Sequence, residues 1–153
     1  MDGLTLTVLD SGADAEAAAQ AVVTGLMAFN AERCRPYDKR DLVVAVHAAD
    51  GALAGGLVGM TNWEWLYVDC LWVAEEHRRG GLGARLLRAA EDEAVRRGCR
   101  WSRLWTYDFQ APDFYPRQGY ERWGVLDGYP PGHSQIWFRK DLVPQPASGS
   151  TPS

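Results

Sequence analysis

The chain has 153 residues, a mass of 17.0 kDa and a formal net charge of −4 at pH 7. This length predicts one domain with a sizeable core, and a content of 46% hydrophobic and 24% charged residues is typical of soluble proteins. No signal peptide or membrane-spanning run is present, so we expect a cytoplasmic protein that does not bind membranes. The acidic balance disfavours nucleic acid as a partner, and the spacing of histidines and cysteines matches no metal site.

The N-terminal part of the chain is predicted to contain a strand, a helix and a hairpin. Alternating apolar residues predict a strand at 4–8, and the alanine-rich segment 13–33 predicts a helix. Strands at 42–47 and 52–60 flank Asp50-Gly51, which is a strong hairpin signal. The second of these strands is weakened by glycines that suggest a bulge, namely Gly55, Gly56 and Gly59.

The middle of the chain is predicted to form a strand–helix–strand unit. The apolar run 65–73 predicts a buried strand, and 82–97 predicts an amphipathic helix that ends at Gly98. Residues 101–107 predict the next strand. Because a helical crossover joins these two strands, they should be parallel.

The last part of the chain is predicted to close the sheet. Pro112 suits the first turn of a short helix, and strands are expected at 120–126 and 134–139. The tail 143–153 is rich in Pro, Ser, Gly and Thr and is predicted to be disordered. We therefore expect an α/β (α+β) fold, in which helices flank a mixed sheet, in a single domain over residues 1–142.

The turn that joins the strand 65–73 to the helix 82–97 carries the clearest functional signal. It reads Arg78-Arg79-Gly80-Gly81-Leu82-Gly83. Unpaired N–H groups at a helix start bind anions, and glycines let a phosphate approach the backbone. The turn fits neither the P-loop nor the dinucleotide pattern GxGxxG. A phosphate site of another kind is predicted.

Two motifs carry a family resemblance. The turn contains R-x-x-G-x-G, directly after the strand that ends Leu71-Trp72-Val73. A second segment resembles N-x-x-A-x-x-F-Y-x-x-x-G-[FY], with Asp108 in place of the asparagine. The matching positions of this segment are Ala111, Phe114, Tyr115, Gly119 and Tyr120. Together the motifs cover about residues 65–126 and resemble the GCN5-related N-acetyltransferase (GNAT) superfamily.

The resemblance implies a GNAT fold, in which the parallel strand pair splays and the arm of acetyl-CoA enters the gap. It implies transfer of an acetyl group to a primary amine by direct attack in a ternary complex. The backbone N–H of Val73 is the expected oxyanion donor. The implied cofactor-binding residues are Leu71, Val73, Arg78, Arg79, Gly80, Gly81, Leu82, Gly83, Ala84 and Asp108.

The candidate catalytic residues are one acid and several alternative bases. Tyr115 stands where many relatives have the tyrosine that protonates the CoA thiolate, although it could also simply pack its helix on the sheet. Period-two alternation places Asp69 on one face with Leu71 and Val73, which makes Asp69 a candidate base. Glu64 at the start of the strand and His133 are the alternatives, and an acceptor amine of low pKa would need no base.

Aromatic residues are candidates for an acceptor pocket between the turn 63–65 and the loop 129–133. The predicted substrate-binding residues are Trp63, Trp65, Tyr37, Tyr129 and His133. The acidic charge and these aromatic rings favour a small cationic amine. A protein or peptide acceptor, a non-catalytic acyl-CoA sensor, a nucleotide-phosphate binder and a homodimer all stay open.

The three cysteines, Cys34, Cys70 and Cys99, are predicted to be reduced and mostly buried. Their odd number and wide spacing suit neither a disulfide framework nor a metal site. Cys70, on the central strand, is the one that stays open as a nucleophile for a double-displacement mechanism.

Overall fold

The computed structural model describes residues 3–143, and the chain divides into two compact units, residues 1–37 and 38–153. The predicted single domain over residues 1–142 stays a prediction. The predicted disordered tail lies outside the described residues, apart from Val143.

The first unit contains one long helix, α1, Ala13–Ala31, which confirms the helix predicted there. The strand predicted at 4–8 is wrong. Its apolar side chains are 81%, 90% and 88% exposed at Leu4, Leu6 and Val8, and no strand in residues 3–143 pairs with this segment. Alternation alone does not make a strand, because the backbone groups of a strand need a neighbour to bond.

The second unit is built on one six-stranded sheet in the order β1-β2-β3-β4-β6-β5. Its strands are β1 (Arg40–His47), β2 (Leu53–Asn62), β3 (Trp65–Val73), β4 (Trp101–Tyr107), β5 (Glu121–Asp127) and β6 (Ser134–Asp141). Its helices are a short 3₁₀ helix (Glu75–His77), α2 (Leu82–Arg96) and α3 (Phe114–Arg117). All neighbouring strands are antiparallel except β3 and β4. The predicted mixed sheet and its parallel pair are confirmed.

Helix α2 covers one face of the sheet and forms the core with it. Its buried positions, Leu86, Leu87, Ala90, Glu91 and Ala94, recur every three or four residues, so they lie on one side of the helix. Of these, Leu87, Ala90 and Ala94 share one core cluster with Leu57, Leu66, Leu104 and Phe138 from the central strands. The helix ends before Gly98, whose φ of 89° suits glycine, as the sequence predicts.

A β-bulge interrupts β3 at Asp69. Val58 of β2 pairs with Cys70 and Gly59 pairs with Val68, so Asp69 has no partner in β2. A side chain at position 59 would collide with the Tyr67 carbonyl oxygen, so glycine is what this close approach requires. The glycine-rich strand therefore marks a bulge, as predicted.

The bulge also corrects the predicted faces of β3. Leu66 and Val68 are buried in the core, and beyond the bulge it is Leu71 that packs against the same core. Trp65 and Tyr67 therefore lie on the opposite face from Leu71. The prediction that all the odd-numbered residues share one face is wrong, because the extra residue reverses the alternation.

The parallel pair separates at the bulge. Residues Trp65–Val68 of β3 pair with Trp101–Leu104 of β4, and no later residue of β3 pairs with β4 in the described structure. The carboxyl ends of both strands lie at the same end of the sheet because the strands are parallel. This arrangement opens a gap between them, beside the start of α2.

Candidate active site

A cleft of about 500 Å³ lies where the end of β3, the start of α2 and helix α3 meet. We call it the cofactor cleft. Its lining residues are Leu71, Val73, His77, Arg78, Arg79, Gly81, Leu82, Gly83, Ala84, Ala111, Phe114, Tyr115, Arg117 and Gln118. The structure therefore brings together most of the predicted cofactor residues and the predicted acid. Gly80 and Asp108 are not in its lining.

The turn before α2 has the backbone geometry of an anion site. Arg79 and Gly81 adopt positive φ angles of 67° and 76°, and α2 begins at the next residue, Leu82. No side chain caps this helix start, so its first N–H groups and the positive end of the helix dipole are available to a ligand. The space in front of Gly81 is open. These features fit a phosphate group.

Arg78 ties this turn to the end of β3. Its Nε donates a hydrogen bond of 3.0 Å to the Val73 carbonyl oxygen. On the other side of the strand, the Ala74 N–H donates to Ala54 of β2. Since successive N–H groups of a strand point to opposite sides, those of Leu71 and Val73 face the gap between β3 and β4. They can donate hydrogen bonds to a ligand in the gap.

Tyr115 both lines the cofactor cleft and packs in the core. Its ring lies 5.1 Å from that of Phe114 and 5.7 Å from that of Phe138. Burial raises the pKa of the Tyr115 phenol above its ordinary value of 10.0, and negative charge on the neighbouring Cys70 raises it further. The phenol therefore stays protonated at neutral pH and can donate a proton in the cleft.

Cys70 lies at the separation of the strands and is exposed, as is Cys34. Only Cys99 is buried. The prediction that the cysteines are mostly buried is therefore wrong, because the bulge turns Cys70 away from the core formed by α2. All three thiols are free, as predicted.

Asp69, the candidate base on β3, lies beside the Tyr67 phenol. Burial raises the pKa of Tyr67; the hydrogen bond from Trp105 lowers it, and the nearby Asp69 raises it. The Trp105 indole N–H donates to the Tyr67 hydroxyl at 2.9 Å. Asp69 is thus next to the gap, but on an exposed bulge rather than in the lining of the cleft.

Glu64, Trp63 and Trp65 lie at the other end of β3. Trp65 stacks on Trp101 at a ring distance of 5.4 Å, and the Glu64 carbonyl oxygen accepts a hydrogen bond from the Arg100 N–H. Trp65 stands six positions before Leu71 along the strand, which is a distance of about 20 Å. The structure does not bring these three residues to the cofactor cleft.

The loop 128–133 lies at the opposite end of the sheet from the turn 63–65. Trp101 pairs with Asp141 and Tyr107 pairs with Gln135, so the β5–β6 loop stands beside the end of β4. The predicted single pocket between the turn and this loop is therefore wrong. Tyr37, the remaining predicted substrate residue, is exposed and belongs to the first unit.

Asp108 pairs with His133 at the end of β4. The His133 Nδ1 and the Asp108 Oδ1 are 3.0 Å apart, and both side chains are partly exposed. A chain of aromatic rings leads away from this pair. Phe109 lies 4.7 Å from the imidazole, Tyr107 lies 5.0 Å from Phe109, and Tyr129 lies 6.2 Å from Tyr107. We call Tyr107, Phe109, Tyr129 and His133 the rim cluster.

Sequence reasoning missed several residues of the cofactor cleft. His77 directly precedes the R-x-x-G-x-G motif, whereas Arg117 and Gln118 occupy the unspecified positions between Tyr115 and Gly119 in the second motif. Their place next to the motifs was the only available signal. In residues 3–143, no cluster of His, Cys, Asp and Glu could hold a metal ion, and no helix could span a membrane.

Known proteins resemble this chain in sequence and in structure. The Acetyltransferase (GNAT) family matches residues 18–120. Blasticidin-S acetyltransferase of Streptomyces morookaense is 48% identical over 93 residues, which are 60% of this chain and 68% of that protein. An acetyltransferase of Agrobacterium fabrum (strain C58) is 40% identical over 133 residues, covering 87% of this chain and 96% of that protein.

The fold is shared with a solved structure. The crystal structure of an acetyltransferase from Bacillus cereus ATCC 14579 has a TM-score of 0.79 and 30% identity, covering 88% of this chain and 97% of that one. The chain therefore belongs to the GNAT acetyltransferase family, and it is an acetyltransferase with the GNAT fold. The family resemblance of the two motifs is confirmed.

Proposed function

We propose that the protein transfers the acetyl group of acetyl-CoA to a primary amine of a small cationic molecule, by direct attack in a ternary complex. The observation that carries this proposal is the cofactor cleft, which is lined by the end of β3, by the glycine-rich turn before α2 and by Tyr115. Family membership supports acetyl-CoA as the co-substrate. The similarity to blasticidin-S acetyltransferase supports a small-molecule acceptor.

The residues of the cleft fit acetyl-CoA from one end to the other. The uncapped start of α2, with Arg78 and Arg79, suits the pyrophosphate. The N–H groups of Leu71 and Val73 face the gap, where they can bond the amides of the pantetheine arm or the thioester oxygen. When bound, acetyl-CoA supplies an activated acyl group and a thiolate leaving group.

The chemistry requires a neutral amine and a proton for the departing thiolate. At pH 7 an amine with a pKa of about 10.4 is neutral in roughly one molecule in 2,500, which corresponds to about 4.6 kcal/mol. Tyr115 can donate the proton for the sulfur, because its raised pKa keeps it protonated. Asp69, Glu64 and His133 were the sequence candidates for removing the proton of the amine. Of the two that belong to β3 or its start, Asp69 is the one near the gap.

The test is a screen of amines monitored by the release of free thiol. Blasticidin S, aminoglycosides, polyamines and peptides would each be incubated with acetyl-CoA. Thiol release with one of the small cationic compounds is expected. Release with peptides alone would instead make the protein a peptide acetyltransferase, and tight CoA binding with no release for any amine would make it an acyl-CoA sensor.

Gly81→Val tests the cofactor site within this proposal. The substitution places a branched side chain in the open space before α2, at a positive φ that L side chains rarely adopt. Calorimetry should show that the affinity for CoA falls at least about tenfold, or about 1.4 kcal/mol. An unchanged affinity in a folded variant would remove the turn from the binding site, and protection by ATP or NAD rather than CoA would favour a nucleotide binder.

A further inference from the structure

We infer that Asp108 and His133 form a dyad in which His133 is the general base for the acceptor amine and Asp108 is its positioning residue. This inference rests on the proposed acetyl transfer. It departs from the sequence analysis, which placed Asp108 among the cofactor-binding residues. The hydrogen bond between the two side chains and their place at the end of β4 are the observations that carry it.

The hydrogen bond sets the protonation of the imidazole. An ionised carboxylate can only accept a hydrogen bond, so the Asp108 Oδ1 at 3.0 Å requires a proton on the His133 Nδ1. In the neutral ring the Nε2 then carries the free lone pair. No hydrogen bond within residues 3–143 occupies this Nε2, and the side chain of His133 is 46% exposed, so the lone pair is accessible to an amine.

The surrounding backbone holds the dyad in place. The Asp108 N–H donates to the Ser134 carbonyl oxygen at 3.0 Å, which joins the end of β4 to the end of the loop 128–133. The His133 N–H donates to Pro130, and the His133 carbonyl oxygen accepts from Gly128. These bonds hold the backbone on both sides of the dyad, and the Phe109 ring packs edge-on against the imidazole.

The dyad stands at the same end of the sheet as the gap between β3 and β4. It follows the last residue of β4, at the end of the sheet where β3 and β4 have separated. Ala111, three residues after Asp108, lines the cofactor cleft, and so does Tyr115. An amine that approaches the gap from the rim cluster therefore passes the His133 ring. Glu64, by contrast, lies at the other end of β3, about 20 Å from Leu71 in the cofactor cleft.

The proton balance is complete with the groups named. The His133 Nε2 accepts a proton from the protonated acceptor and releases it to solvent. The neutral nitrogen attacks the thioester carbonyl carbon, a C–N bond forms and the C–S bond breaks with its electron pair on sulfur. Tyr115 gives a proton to the sulfur. The nitrogen passes its second proton to His133, which releases it to solvent, and the Tyr115 phenolate takes a proton back from solvent. Overall, an ammonium ion and the thioester give an amide, a thiol and one proton.

The kinetic test compares the pH dependence of kcat/KM for four proteins. A general base must be unprotonated to accept a proton from the amine, so wild type should lose activity as the pH falls. His133→Gln should lose this acidic limb and about 10²-fold or more in rate at neutral pH, while its CoA affinity is unchanged. Asp127→Asn is the matched control at the end of β5, directly before the same loop, because Asp127 accepts a hydrogen bond of 2.8 Å from the Ser134 hydroxyl and not from the imidazole.

Three other ionisable groups lie close to the dyad: the phenols of Tyr107 and Tyr129 and the carboxylate of Asp127. The control variant removes the carboxylate, and the phenols are unchanged in all four proteins. Asp69→Asn is the fourth protein. If it abolishes the acidic limb and His133→Gln keeps it, Asp69 is the base and the dyad is overturned.

A structural readout tests the positioning role independently of turnover. The ¹⁵N chemical shifts of the imidazole at high pH should show His133 protonated on Nδ1 in wild type, and Asp108→Ala should abolish this preference. An Nε2–H tautomer in wild type would overturn the proposal. Failure of wild type to acetylate any amine would refute the proposed function instead, and the tautomer would still report on the dyad. His133→Asn serves if the glutamine variant does not fold.

Discussion

Tyr115 joins packing and chemistry in one side chain, and a single substitution separates the two. Tyr115→Phe keeps the ring contacts with Phe114 and Phe138, so stability should change little. The proton donor is lost, so kcat should fall by about 10²–10⁴-fold while CoA affinity stays the same. Because the pKa of Tyr115 is raised above 10.0, any alkaline decline in wild-type kcat caused by its ionisation should have its midpoint above pH 10. A Phe variant that turns over at the wild-type rate, with chemistry rate-limiting, would leave Tyr115 a packing residue.

Two aromatic residues test where the acceptor binds. Tyr129 belongs to the rim cluster at the open end of the strands, whereas Trp65 lies at the far end. Tyr129→Ala should raise the acceptor KM roughly two- to fivefold, since a cation–π contact at an exposed site contributes about 0.5–1 kcal/mol. Trp65→Ala, the matched control, should leave both KM and CoA affinity unchanged. The reverse result in steady-state kinetics would move the acceptor to the turn 63–65.

At the scale of elements, strong local sequence patterns were sufficient to predict most strands of the sheet. The apolar run 65–73, the stripe on the helix 82–97 and the strand 101–107 each specify their own structure, and the crossover between the strands makes them parallel. The bulge at Asp69 was visible only as a glycine on the neighbouring strand. Its effect on the faces of β3 depends on the pairing of two strands, which no single segment encodes.

Gly59→Ala should disturb the bulge and thereby the separation of β3 and β4. The added Cβ would collide with the Tyr67 carbonyl oxygen, and relieving such a backbone contact costs about 1–3 kcal/mol. We expect lower stability in denaturant unfolding and weaker CoA binding. Gly124→Ala in β5 is the control, because a Cβ there meets only the Trp137 Cβ at 3.8 Å and fits. Equal stability of the two variants would show that the bulge tolerates a side chain at position 59.

At the scale of the whole molecule, the two halves of the site differ in how far the sequence predicts them. The cofactor half lies in one continuous segment, so its two motifs identify most of the lining of the cleft. The acceptor half depends on residues far apart in the chain, such as Asp108 and His133, which β6 brings together by pairing with β4. That pairing register is a property of the folded sheet. The sequence analysis therefore assigned Asp108 to the cofactor site and gave His133 only as one of several candidate bases.

The alkaline stability of the molecule should depend on its buried phenols, and on Tyr120 above all. Tyr120 is 3% exposed, and its hydroxyl lies 2.7 Å from the Ser102 Oγ. Burial raises the pKa of Tyr120 far above 10.0, and the negative charge of Glu91 acts in the same direction. Above pH 10 the unfolded chain releases the tyrosine proton while the folded chain keeps it, so the free energy of unfolding falls as the pH rises. One such group contributes at most about 1.4 kcal/mol per pH unit.

Tyr120→Phe should therefore reduce the slope of unfolding free energy against pH by up to about 1.4 kcal/mol per unit between pH 10 and 11.5, as measured by urea unfolding. At pH 7 the same variant should be less stable by about 1–3 kcal/mol, because the buried Ser102 hydroxyl loses its partner. Tyr129→Phe removes an exposed phenol and should keep the wild-type slope. The burial of Tyr120 beneath Lys140 and beside Ser102 opposes its ionisation in the folded state. If the slope were the same in all three proteins, Tyr120 would ionise as readily in the folded state as in the unfolded chain.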